Sequence, residues 1–506
     1  MFIRLVIKSD RHLMNLINTA LLQTKSYVNG RFIDAQDGHT FEVRNPYNGD
    51  VIAEMADCGS SDTRDAISAA QEAFLPRRSL TGTERGKVLR RWYELIVKHV
   101  DDLAIILTTE QGKPLREARG EVLYGASYVE WFAEEARRVY GDVIPGHQRD
   151  KRITVIKQAV GVVGAITPWN FPSAMITRKI SPALAAGCSV VIKPSELTPL
   201  SATALAVLAE EAGIPPGVIN IINTSRADQV GEALTSSSIV KKVSFTGSTA
   251  IGKLILGQCA ETVKKVTLEL GGNAPFIVFD DADILAAVDG VIAAKFRNAG
   301  QTCICPNRIF VQETVYDQFV NQLSDKMKSL QLGSGLNSDV SIGPLIEEKA
   351  IQSVETVVAD ALSKGAQLNS GGERKSETSP LLYEPTVLTE VTPEMDVFNQ
   401  EIFGPVVPVI RFHTEQEVIN LANQTPYGLA AYFYGQNYAI LWRVAEALEY
   451  GMVGINTGMI GTAVAPFGGI KESGFGREGS RYGIDEYLVM KYMCWAGVES
   501  LETQMP

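Results

Sequence analysis

At 506 residues the chain is too long for a single hydrophobic core and calls for two or three domains. Its 21% charged and 45% hydrophobic residues are those of an ordinary globular protein, and a net charge of −11 without any basic run argues against a nucleic-acid partner. Six cysteines, Cys58, Cys188, Cys259, Cys303, Cys305 and Cys494, form no disulfide framework and suit a reducing intracellular setting, and no apolar stretch is long enough to span a bilayer.

Residues 1 to 22 carry Arg4, Lys8 and Arg11 among apolar residues, which resembles a weak targeting peptide. Asp10 intrudes, however, serines are scarce, and no small-residue cleavage site follows. Met14-Asn15-Leu16-Ile17 reads as the better beginning, with a short amphipathic helix ahead. The first thirteen residues then come from an upstream start codon. From Lys25 to Ala56, turn signals at Asn29-Gly30, Asp37-Gly38 and Asn48-Gly49 separate short strands and hairpins. Asp62 to about Val139 has apolar residues at helical spacing. Arg152 to Val160 alternates like an antiparallel strand.

Between about Gly161 and Gly272, apolar runs alternate with helical patterns, which predicts a parallel sheet. The buried strands are Val162–Ile166, Ser189–Ile192, Val218–Ile222 and Lys242–Phe245. Ligands of such sheets sit outside the carboxyl ends of the strands. The first strand leads into Thr167-Pro168-Trp169-Asn170-Phe171-Pro172, where the Asn170 amide either holds a turn or donates to an oxyanion. The G-x-G-x-x-G fingerprint is absent. Phe245-Thr246-Gly247-Ser248 stands in its place, either an ordinary turn or a small-residue approach to a phosphate.

Val266-Thr267-Leu268-Glu269 is a strand-like run stopped by Gly271-Gly272. Glu269 reads either as a solvent-facing strand end or, set beside Cys303, as a general base. A long amphipathic segment, Asp283 to Phe296, then runs into the small-residue turn at Ala299-Gly300 and delivers Cys303. A loop cysteine alone is most often a small buried hydrophobe. With Glu269 and Asn170 upstream it becomes a candidate nucleophile. The Cys303-Ile304-Cys305 spacing does not suit zinc, and no metal site is expected.

Pro168-Trp169-Asn170-Phe171-Pro172, Leu268-Glu269-Leu270-Gly271-Gly272, Gly300-Gln301-Thr302-Cys303 and Glu401-Ile402-Phe403-Gly404-Pro405 resemble the signature blocks of the NAD(P)-dependent aldehyde dehydrogenase superfamily. The similarity runs from about Lys25 to the C-terminus. Arg178, Arg297 (six residues before Cys303) and the Cys303/Cys305 pair are most similar to succinate-semialdehyde dehydrogenases. The resemblance implies an α/β fold with a Rossmann-type cofactor domain, an α/β catalytic domain and a small β oligomerisation element. The corresponding division is an N-terminal extension with a helix at 1–24, a cofactor domain at 25–147 and 160–270, a catalytic domain at 271–470, and oligomerisation strands at 148–159 and 485–500.

By the same resemblance, Cys303, Glu269 and Asn170 are catalytic. Cys303 attacks the aldehyde, and needs no strong base near it in sequence if its pKa is lowered locally. Asn170 and the Cys303 N–H hold the oxyanion, and Glu269 activates the water that releases the acid. Thr167, Trp169, Lys193, Ser195, Glu196, Gly247, Ser248, Glu401 and Phe403 are implied to hold the cofactor. A carboxylate at Glu196 accepts from ribose hydroxyls but repels a 2′-phosphate, which favours NAD while leaving NADP possible. A structural salt bridge would account for one arginine; Arg178 and Arg297, read as two unpaired arginines, with Thr462, are implied to hold a carboxylate at the far end of the substrate. The loop Thr457–Ala465 lacks the family's usual Ser and acidic residue there. Cys305 is the partner for a redox switch or is packing filler.

The expected activity is oxidation of succinate semialdehyde, as in GABA degradation, by a cytoplasmic homodimer or homotetramer with no nucleic-acid or membrane partner. Glutarate semialdehyde, or another aliphatic aldehyde, is the nearest alternative. A non-redox cysteine hydrolase or acyltransferase is the rival class. It needs a histidine partner, and His12, His39, His99, His147 and His413 sit in no recognisable motif.

Overall fold

A computed structural model describes residues 14–498. Its first sheet has eight strands in the order Gly474–Phe475, Lys265–Glu269, Val240–Thr246, Val162–Ile166, Ser189–Lys193, Ile219–Ile221, Ser26–Val28, Arg31–Ile33. The five central strands are parallel, and the flanking pairs are antiparallel. Val162–Ile166 and Ser189–Lys193 are buried along their whole length, as expected where helices cover both faces. The chain proceeds from Val162–Ile166 outward to one side, then returns through Val240–Thr246 to the other. The order therefore reverses between these two strands, and a crevice opens beyond their carboxyl ends.

A second sheet of seven strands runs Gln367–Ser370, Thr386–Thr389, Val406–Phe412, Pro306–Gln312, Ala274–Val278, Ala430–Tyr434, Met452–Ile455. It is parallel except at the Gln367–Ser370 edge. Its buried apolar residues form one cluster spanning 274–467, while the first sheet and its helices build separate clusters. Four consecutive helices, Ser60–Arg77, Gly82–Lys98, Val100–Gln111 and Leu115–Glu135, precede the first sheet's core. The second of them opens with a capping box between Thr81 and Glu84.

A third sheet pairs Leu488–Trp495 with Arg152–Ala159 in full antiparallel register and adds Asp142–Ile144. That last strand lies within the segment first assigned to the cofactor domain. The two-residue strand Gly474–Phe475 likewise joins the first sheet from far down the chain. The expected N-terminal helix is only one 3-10 turn, Thr19–Leu21. The backbone N–H groups of Ile17 and Asn18 are taken by Asp102 at 2.8 and 2.9 Å, which pins the chain before a longer helix can form. The readings of residues 1–13 and of the last two residues of 485–500 lie outside the described residues.

Candidate active site

The strand Val162–Ile166 ends at Thr167, and the Asn170 loop follows directly into the crevice. The helix Ile284–Lys295, capped by Asp283 at its start, approaches from the second sheet and stops at Phe296. Asn298, Ala299 and Gly300 then take left-handed backbone, with φ of 52°, 53° and 79°. This turn reverses the chain and brings Cys303 toward Asn170, whose Nδ2 donates to the Gln301 carbonyl at 3.1 Å.

Two glycines make the close approach possible. A Cβ on Gly272 would lie 2.4 Å from the Cys303 carbonyl oxygen, and one on Gly271 would lie 2.8 Å from Glu401 Oε2. Neither position tolerates a side chain without moving the thiol loop or the Glu401 carboxylate.

Cys303 lines two cavities. One, of about 270 Å³, is walled by Trp169, Asn170, Thr246, Gly247, Ser248, Glu401 and Phe403. Trp169 and Phe403 meet edge to face at 5.6 Å, and Phe403 holds a left-handed φ of 52°. Glu401 accepts the Gly272 N–H at 3.0 Å, and burial pushes its carboxyl up to about 7. The second cavity is narrow, about 20 Å³, and is walled by Tyr124, Phe171, Arg178, Arg297, Gly461 and Phe467. It has room for about one water, so an aldehyde enters only as the side chains that wall it move apart.

The two arginines differ. Arg178 is 1% exposed and ion-paired through Nε with Glu478, contrary to the expectation of two unpaired guanidiniums. Its Nη2 still has no partner among the described residues, and neither has Arg297 Nε. Arg297 makes no salt bridge among the described residues; it stands 5.2 Å from the Phe171 ring, while Arg178 lies 4.0 Å over Phe467. Gly461 rather than Thr462 reaches the cavity wall. The Thr462 hydroxyl is drawn back to the Val464 N–H at 3.5 Å, and its carbonyl faces Tyr128.

Glu269 is the last residue of its strand and is 3% exposed. Neither cavity is lined by it. Its carboxylate lies against Gly468, and both of its oxygens lack a hydrogen-bond partner among the described residues. Burial, and then the charge of Glu478, push it well above the usual carboxylate range. The Cys303 thiol is pushed up to about 12 by burial, with Arg178 opposing and Glu401 and Glu269 adding to the rise. Two arginines do not offset the loss of water at the thiol. Cys305 is buried and lines neither cavity. Its Sγ is 3.5 Å from the Lys295 carbonyl and 3.7 Å from that of Pro306.

On the cofactor side, Ser248 caps the helix Thr249–Ala260. The Gly247 N–H is already donated to the Glu269 carbonyl at 3.1 Å. A Cβ on Gly247 would lie 2.4 Å from the Phe245 ring, so a side chain there would have to displace that ring. Thr246 Oγ1 and Thr167 Oγ1 are buried without partners among the described residues. Lys193 donates to the Pro194 carbonyl and reaches Glu196 at 3.4 Å, and the Ser195 hydroxyl accepts the Leu197 N–H. Unpartnered hydroxyls beside a capped helix start suit a phosphate-bearing dinucleotide.

Sequence reasoning missed Tyr124, Lys113, Glu121, Lys179 and Glu478. Only the adjacency of Lys179 to Arg178 offered a signal. His39, His99, His147 and His413 line neither cavity.

A sequence model described as the aldehyde dehydrogenase family matches residues 32–493. Glutarate-semialdehyde dehydrogenase of Pseudomonas aeruginosa is 55% identical over 96% of this chain and 100% of that protein. Succinate-semialdehyde dehydrogenase [NADP(+)] of Escherichia coli K12 is 55% identical over 95% of this chain and 99% of its own. The crystal structure of succinate-semialdehyde dehydrogenase from Burkholderia pseudomallei superposes with a TM-score of 0.94 at 54% identity, covering 95% of this chain and all of that one.

Proposed function

The chain belongs to the aldehyde dehydrogenase family, and from that membership we propose that it oxidises succinate semialdehyde to succinate with reduction of NAD(P)+. The observation that carries this is the position of Cys303 at the junction of two cavities, one fitted to a dinucleotide and the other holding two unpartnered guanidinium nitrogens.

Arg297 and the free Nη2 of Arg178 bind the distal carboxylate of the substrate; Glu478 already balances Arg178, so the carboxylate answers the charge of Arg297 and the two unpartnered guanidinium nitrogens. This fixes the slim chain with its aldehyde at the thiol. Cys303 Sγ bonds to the aldehyde carbon, the thiol proton passes to a water molecule, and the carbonyl π bond opens to leave an oxyanion. One hydrogen of the Asn170 amide is committed to Gln301. The other, together with the Cys303 N–H, donates to that oxygen, and one such donor is worth roughly 3–4 kcal/mol in rate. When bound, NAD(P)+ supplies the hydride acceptor. Thr167, Trp169, Thr246, Ser248, Glu401 and Phe403 hold it, with Lys193, Ser195 and Glu196 toward the ribose.

The acyl group then remains on Cys303 as a thioester. Glu269 swings from its place against Gly468, takes a proton from water, and the hydroxide attacks the acyl carbon. The C–S bond breaks and the thiolate is regenerated. A carboxyl held above its usual range suits this role near neutral pH. Glu196 favours NAD over NADP. Glutarate semialdehyde, one carbon longer, is the nearest competitor. All six cysteines are free thiols, which supports a reducing compartment, the cytoplasm. The exposed Leu488–Trp495 strand supports a homodimer or homotetramer. An aldehyde panel assayed with both cofactors tests the reading: preference for neutral aldehydes overturns it.

A further inference from the structure

Lys113 follows the helix Val100–Gln111, and Glu117 and Glu121 sit one turn apart at the start of the helix Leu115–Glu135. Spacing of four puts the two acids on one helix face. Charged groups are rarely buried this deeply unless they hold something. Lys113 is 2% exposed and Glu121 is 4% exposed. The Lys113 ammonium donates to Glu121 Oε2 at 2.6 Å and to the Asn170 carbonyl, also at 2.6 Å. The other oxygen of Glu121 accepts the N–H groups of Ser173 and Ala174 at 2.9 and 3.2 Å, where the helix bearing Arg178 begins.

A second set of contacts reaches the same carbonyl from the thiol loop. Asn298 Nδ2 donates to the Asn170 carbonyl at 3.0 Å and to the Gln301 carbonyl at 3.2 Å. Asn298 is itself held by the Glu117 carboxylate, which accepts its N–H at 2.7 Å, and by Gln111 Nε2 at 2.9 Å. Asparagine tolerates this left-handed conformation better than most residues, but Ala299 beside it does not, so the turn persists because its surroundings hold it.

We propose that Lys113, Glu121 and Asn298 are positioning residues for the oxyanion site. They fix the backbone of Asn170 from the helical layer and from the thiol loop at once, so that its remaining amide hydrogen points where the oxyanion forms. None of them touches substrate. The inference rests on the reading of Asn170 as the oxyanion donor. Sub-ångström errors in such a donor are expensive, because its benefit depends on being aimed before charge develops.

The test uses the full chain and two reactions of the same thiol. The burst of p-nitrophenolate from p-nitrophenyl acetate passes through an oxyanion. Alkylation by iodoacetamide is a displacement at a saturated carbon and does not. Asn298→Gly keeps the left-handed turn and deletes the donor. The paired change Lys113→Met with Glu121→Gln removes both charges, so neither is left buried alone.

Asn170→Ala should slow the burst by roughly 100-fold. Asn298→Gly and the paired variant should each slow it by at least about tenfold, with alkylation held within about twofold of wild type. Adding either to Asn170→Ala should cost nothing further, since residues acting as one unit are not additive. If alkylation falls in parallel, or the losses multiply on Asn170→Ala, the positioning role is overturned while the oxyanion reading stands. If Asn170→Ala leaves the burst intact, the oxyanion reading fails and the inference fails with it. Should the paired variant not fold, Asn298→Gly alone decides.

Discussion

Arg178 and Glu478 lie 300 positions apart in the chain and form an ion pair whose side chains are 1% and 6% exposed. Lys179 holds the other oxygen of Glu478 at 2.6 Å. Burial alone would push Glu478 up, but these two cations hold it below the usual carboxylate range. The pair therefore joins the narrow cavity, which Arg178 lines, to a charge that adds to burial in holding Glu269 above the usual carboxylate range.

The thiol assignment separates two cysteines only two positions apart. Cys303→Ala should abolish aldehyde oxidation and the ester burst, whereas Cys305→Ala should keep most of both. A disulfide requires the Cys305 thiol to leave its contacts with the Lys295 and Pro306 carbonyls. Peroxide should thus inactivate Cys305→Ala as fully as wild type. Inactivation that dithiothreitol reverses in wild type but not in Cys305→Ala would instead establish a redox switch.

Glu269 couples activity to pH and to stability in opposite directions. Its folded pKa is raised, so its contribution to stability is complete below its unfolded pKa and is lost as pH rises through the folded value. Glu269→Gln should match wild-type thermal stability in acid and exceed it at alkaline pH. One unsatisfied buried acceptor sets the scale, roughly 1–3 kcal/mol. The same variant should slow steady turnover far more than it weakens NAD binding, and should lose the rise of turnover with pH. Unchanged turnover at neutral pH would remove Glu269 as the base.

Cofactor choice is expected to rest on Glu196, whose side chain is 42% exposed beside Lys193. Glu196→Ser should shift the kcat/KM ratio toward NADP by roughly tenfold, leaving the Lys193 ammonium to meet a 2′-phosphate. A wild-type enzyme that already prefers NADP would contradict this.

Subunit pairing is expected at the strand Leu488–Trp495, an edge strand on which Met490 and Tyr492 are 76% and 60% exposed. Such an edge invites pairing. Met490→Glu with Tyr492→Lys should reduce the mass measured by light scattering. An unchanged mass would place the contact elsewhere.

The parallel strands, the edge strand and the three blocks around Asn170, Glu269 and Cys303 were legible because each is a local pattern: an apolar run, a turn signal, a short motif. The left-handed turn at Asn298 and Ala299 was not, since asparagine tolerates that φ without requiring it, alanine gives no sign of it, and the contacts that hold Asn298 come from Gln111 and Glu117 on two other helices. The same applies to charge. Arg178 read as a free guanidinium because its partner, Glu478, comes near only after folding. The rise of the thiol pKa was not legible for a related reason: burial is a property of the assembled cleft, while the arginines are visible in sequence.

The central claim is that the cavity beyond Cys303 reads a carboxylate. Arg297 is the cleaner probe, since removing Arg178 leaves Glu478 short of a partner and costs stability as well. The decisive quantity is the ratio of kcat/KM for succinate semialdehyde to that for butanal, in wild type and in Arg297→Met. The wild type should favour succinate semialdehyde, and the variant should lose at least about tenfold of that ratio, the effect of one charge-assisted contact of roughly 1.5–3 kcal/mol, chiefly through KM and with butanal little changed. A wild type that prefers butanal, or a variant with the ratio intact, would contradict the account.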